Sequence, residues 1–149
     1  MTTALNLTFS RSIKHPKNIL IGVLVVCSAL LASMQTHAAD LIDPPAISVP
    51  AGLELESVEK AIKVGLLSRG WTFENEKSGF MEGVLLIRVH EARVGISYST
   101  DEVKIAYLDS KKLKYKVKNG QRKIHKNYNA WVNNIRRDIT MELQKAAIK

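Results

Sequence analysis

Cysteine is almost absent. Cys27 is the only one in 149 residues, so no internal disulfide can form, and the chain after it must fold by core packing alone. Catalytic signatures are missing too. There is no G-x-S-x-G elbow, no phosphate-binding glycine loop and no carboxylate pair at an enforced separation; Glu82, Glu91 and Asp109 are scattered. Beyond residue 39 the histidines are His90 and His125, in different elements and without a cysteine beside them, a spacing unlike a zinc or iron site. The expectation is a protein that is not an enzyme and carries no metal and no cofactor.

A full membrane span is also missing. The apolar run from Ile19 to Met34 is 16 residues long, whereas a spanning helix needs about 20 and a secretory signal core roughly 7–15. Arg11, Lys14 and Lys17 precede the run, and Thr36-His37-Ala38-Ala39 follows it. Positive, then apolar, then small is the order of a signal peptide. Cleavage after Ala38 leaves Thr36 two positions before the cut, close to the small-x-small rule. Residues 1–38 are therefore expected to be a signal peptide and the rest to be periplasmic or exported. Retention of the segment as an N-terminal membrane anchor is the alternative. Cys27 follows Val26 and precedes seven more residues of the run, which is a poor site for lipid attachment.

Charge is unevenly spread. The formal net charge is +8, with three bases before the cut, so the exported part carries +5 (19 bases, 14 acids). Residues 53–103 hold nine acids and six bases, whereas residues 104–126 hold nine bases and one acid, Asp109. Outside the cytoplasm such a basic stretch meets phospholipid headgroups, lipopolysaccharide or acidic polymers rather than nucleic acid. An envelope protein or an anionic envelope component is the expected partner, with membrane contact but no membrane span after cleavage.

About 110 residues make one domain. Pro44, Pro45 and Pro50 mark residues 39–53 as an extended tether outside the core. Leu55, Val58, Ile62 and Leu66 recur at helical steps, predicting a helix over 54–69 that Gly70 stops. The period then changes to two. Trp71 and Phe73, then Met81 to Val89, Val94 to Tyr98 and Val103 to Tyr107 describe four antiparallel strands. Matching inward positions pairs Val89 with Ala92, Ile87 with Val94, Phe73 with Met81, Tyr98 with Val103 and Ile96 with Ile105. Gly83 then accommodates the rings of Trp71 and Tyr98.

Leu113 and Val117 alternate with lysines ahead of Asn119-Gly120, a type I′ turn pair. Residues 111–124 are either a basic hairpin or a mobile loop. Tyr128, Trp131, Ile135, Ile139 and Leu143 form the stripe of a helix over 127–147, with Asn127 as its cap. The expected fold is α+β: a four-stranded antiparallel meander with two helices on one face, in the order α-β-β-β-β-α, within residues 54–149.

Two surfaces are candidates for binding. The expected register sets Arg88 opposite Arg93 beside Leu86 and Leu108, with His90 at the rim, as a docking face for a partner with a negative group. The competing expectation is that the C-terminal basic segment or the tether folds across this face, with Glu91 or Glu82 neutralising an arginine there. The second surface is basic: Lys112, Lys114, Lys116, Lys118, Arg122 and Lys123, with Lys126 nearby. It suits an anionic membrane, although edge-strand lysines also deter aggregation.

Ala61-Ile62, Arg69-Gly70-Trp71, Tyr107-Leu108-Asp109-Ser110 and the run from Ile124 to Trp131 resemble a group of small exported proteobacterial proteins, many of them described as lipoproteins. The likeness covers about residues 45–143. It implies an envelope location and a compact α+β domain, and no established activity; this chain departs from it at Cys27 and in its extra lysines between Lys111 and Lys123. Three functional expectations compete. The first is a non-enzymatic periplasmic or envelope-associated binding module of unknown ligand. The second is a membrane-tethered structural accessory of the envelope. The third is a hydrolase or transferase using His125, Tyr128 and Asp109.

Overall fold

Two apolar stripes at helical spacing become two helices, and the period-two segments between them become sheet. The computed structural model describes residues 38–148. The segment up to His37, on which the signal-peptide expectation and Cys27 fall, lies outside the described residues. The elements are β1 (Ala38–Asp40), β2 (Ile47–Ser48), α1 (Leu55–Leu67), β3 (Thr72–Lys77), β4 (Phe80–Ile87), β5 (His90–Tyr98), β6 (Glu102–Lys111), β7 (Lys116–Lys118), β8 (Gln121–His125) and α2 (Asn127–Ala147). The fold is α+β with two antiparallel sheets, a five-stranded one in the order β2-β6-β5-β4-β3 and a three-stranded one in the order β1-β8-β7.

One hydrophobic core joins helices and sheet. Val58, Ala61, Ile62 and Leu66 of α1 and Tyr128, Val132, Ile135, Ile139 and Leu143 of α2 cluster with Met81, Leu85, Val94, Ile96, Val103 and Ile105 of the strands. Full burial of each large aliphatic side chain contributes about 1.5–3 kcal/mol. At Gly70 (φ 72°) the chain leaves α1, and the Trp71 amide donates back to the Leu66 carbonyl at 3.1 Å. Trp71 is then fully buried.

The expected four-stranded sheet gains a fifth strand. Residues 39–53 are not a tether outside the core: Ile47 pairs with Val103 on β6, Ala39 pairs with Ile124 on β8, and Leu41 and Ile47 are buried. The segment is a strap. Asn129 grips it by donating to the Asp40 carbonyl at 2.7 Å and accepting from the Ile42 amide at 3.3 Å, while Arg136 donates to the Pro45 carbonyl at 3.0 Å. Prolines suppress any period in the strap, so its two isolated anchors leave no pattern in the sequence.

The β5–β6 register agrees with the expectation, Tyr98 facing Val103 and Ile96 facing Ile105. The other two registers slide. Ile87 pairs with His90, Leu85 with Ala92 and Gly83 with Val94, because the β4–β5 turn falls at Arg88-Val89 rather than two residues later. Phe73 likewise meets Gly83 instead of Met81. Each slide is even, so inward residues stay inward. Gly83 is a packing accommodation, but for Leu66, Val94 and Trp71 rather than for Tyr98: a Cβ there would lie 3.1, 3.0 and 3.5 Å from their atoms.

Candidate functional site

The slide of β4 dissolves the expected arginine pair. Arg93 sits in β5 opposite Val84 and Asp109, while Arg88 occupies the β4–β5 turn with φ 55°. A bulge in β6 leaves Leu108 without a direct partner beside Arg93. Arg93 is saturated by carboxylates: it donates to Glu91 at 2.7 Å and to Glu74, with Glu82 at 3.5 Å. These partners, Glu91 foremost, raise its pKa. Lys111 completes the cluster at 2.9 Å from Glu91, and Lys111 and then Arg93 hold the Glu91 carboxyl below its ordinary value. The expected anion receptor is an internal ion-pair network.

The remaining residues of that face assemble elsewhere, at the turn. Leu86, Arg88, Val89 and His90 form a projecting tip, with Leu86 69% and Val89 71% exposed. His90 pins the tip to the basic segment. Its Nδ1 donates to the Lys112 carbonyl at 2.9 Å, and its ring stacks on His125 with centroids 5.7 Å apart. The His125 amide donates to the Leu113 carbonyl at 2.8 Å, and Leu113 is fully buried.

Residues 111–124 form the expected hairpin only in part. Asn119 and Gly120 both take positive φ (52° and 74°) between β7 and β8, as a type I′ turn requires. Lys112 and Lys114 also take left-handed φ (59° and 54°), so residues 112–115 are not strand and the lysines do not line one side of it. Acids from the strap engage two of the predicted cations: Asp43 takes Arg122 at 2.6 Å and Asp40 takes Lys123 at 2.6 Å. Lys114 also has a partner. Among the described residues, the side chains of Arg88, Lys112, Lys116, Lys118 and Lys126 make no hydrogen bond or ion pair. Sequence reasoning missed the neutralising role of Asp40 and Asp43, since contacts across about 80 residues carry no local signal.

The residues of the catalytic alternative do not converge through hydrogen bonds. Tyr128 is buried, its ring edge-on to Tyr107 at 5.7 Å, and burial raises its pKa. Asp109 faces Arg93 across the sheet. His125 Nδ1 accepts the Asn127 amide at 3.3 Å, so the histidine, not Asn127, covers the start of α2. Among the described residues no helix is long and apolar enough to cross a membrane. A groove of about 540 Å³ opens between α1 and α2, bordered by Lys60, Val64, Glu142 and Ile148. No protein-family model matches the chain, and comparisons with curated proteins and with solved structures find no match either.

Proposed function

We propose that the chain is an exported, non-enzymatic binding module of the cell envelope. The observation that carries this reading is the projecting β4–β5 tip, where apolar Leu86 and Val89 flank Arg88, a cation unpaired among the described residues. Isolated exposed apolar residues are ordinary; one at the end of β4 and one on its turn, either side of Arg88, with four further lysines unpaired among the described residues, favour a ligand. The signal-peptide order of residues 11–39 supports the location.

An alkaline phosphatase fusion after Lys149, active only outside the cytoplasm, tests the location. Activity in cells supports export, and an inactive fusion overturns it. A second reading, a membrane-tethered accessory, is favoured by the short distance in sequence between Met34 and β1, which begins at Ala38. Osmotic shock separates the two. Release of a chain beginning at Ala39 supports the cleaved module, whereas an unprocessed chain that sediments with membranes supports the tethered one.

A further inference from the structure

Resting on the envelope reading, we propose that the β4–β5 tip and the β7–β8 ribbon form one docking surface for an anionic phospholipid bilayer. Val89 and Leu86 enter the headgroup boundary while the unpaired cations meet lipid phosphates.

Charge is the first argument. Arg88, Lys112, Lys116, Lys118 and Lys126 are unpaired among the described residues. Of the nearby acids, Asp40 and Asp43 are engaged by Lys123 and Arg122, and Glu91 by Lys111 and Arg93, which leaves Asp109 as a single exposed acid against five cations. Lys116 lies directly opposite Lys123, whose charge Asp40 takes, so Lys116 itself is left for an external anion.

Shape is the second. Val89 at the turn, and Val117 (61% exposed) on the ribbon, are exposed aliphatics. Exposed apolar residues close in sequence to cations, Val89 after Arg88 and Val117 between Lys116 and Lys118, match a fluid interface, where insertion needs no complementary pocket. An acidic protein partner is better served by a concave site with directional donors.

Preorganisation is the third. The stacking of His90 on His125 and the His90–Lys112 hydrogen bond hold tip and ribbon together beforehand, so little ordering is needed on binding.

Vesicle co-sedimentation tests the proposal, using the chain from Ala39 onward, whose core closes between Leu41 and Leu143. Vesicles containing phosphatidylglycerol should take up the protein, and pure phosphatidylcholine vesicles should not. Salt at about 1 M, where the screening length is about 3 Å, should release it. Lys116→Gln with Lys118→Gln should weaken partitioning about thirtyfold, and Val89→Asp should weaken it with an unchanged circular dichroism spectrum. Equal uptake by both vesicle types, no uptake, or full uptake of the variants overturns the proposal. So does retention on dextran sulfate without vesicle uptake, which assigns the cations to a polymer. An exported phosphatase fusion whose domain ignores vesicles overturns the docking surface alone; an inactive fusion with vesicle uptake overturns the location alone.

Discussion

Gly65 and Ile139 mark the closest approach of the two helices: a Cβ on the glycine would stand 2.6 Å from the isoleucine Cγ1 and 2.9 Å from its backbone nitrogen. In an open helix, glycine to alanine gains about 1 kcal/mol. Here a backbone atom of α2 blocks the methyl, and overpacking of this kind costs roughly 1–3 kcal/mol. Gly65→Ala should therefore lower the melting temperature despite its better helix propensity.

The strap is part of the core, and its anchors should behave as core residues. Leu41→Ala and Ile47→Ala should each destabilise by about 2–4 kcal/mol in urea titrations. A tether lying outside the core would leave the midpoint unmoved.

Acid unfolding should draw on Asp138 and Glu59. Arg69, at 2.5 Å and assisted by Ser68, holds the Asp138 carboxyl below its ordinary range; Lys63 and then Tyr98 do the same for Glu59. A carboxyl with a depressed folded-state value contributes fully above its unfolded value of about 4 and loses that contribution as pH falls through the depressed one. Asp138→Asn should lower stability at neutral pH and flatten the acid limb below about pH 4.

Alkaline behaviour has the opposite sign. Burial, then the hydrogen bond to Glu59, pushes the Tyr98 hydroxyl up to about 12. Its contribution is complete below the ordinary value of 10 and disappears as pH rises through about 12. Tyr98→Phe should flatten that limb, as followed by tyrosinate absorbance against ellipticity.

The two arginines of the β4–β5 hairpin should separate cleanly. Arg93→Ala leaves Glu74, Glu82 and Glu91 facing one another without their shared cation, so it should lower the melting temperature while vesicle uptake persists. Arg88→Glu removes a turn cation that is unpaired among the described residues, so it should spare the melting temperature and reduce uptake.

Helical stripes were legible because a buried face repeats every three or four residues: α2 spans Asn127–Ala147, as its apolar spacing predicts. Strand parity was legible for the same reason, and so was the Asn119-Gly120 turn. Register was not. Arg88 accepts a left-handed φ that composition does not announce, and an even slide of β4 costs no inward match. The candidate anion face failed with that register, since a four-residue shift replaced Arg88 with Val84 opposite Arg93. The role of Asn129 was hidden as well, because the strap carbonyl and amide it grips are 89 and 87 residues away.

A single engineered thiol offers the most direct measurement, since no cysteine follows Cys27. A polarity-sensitive fluorophore on Val89→Cys should shift to the blue on phosphatidylglycerol vesicles, while the same label on Met141→Cys, exposed on α2, should not. Equal shifts at both positions, or none at Val89→Cys, would contradict a bilayer contact made by the cationic tip.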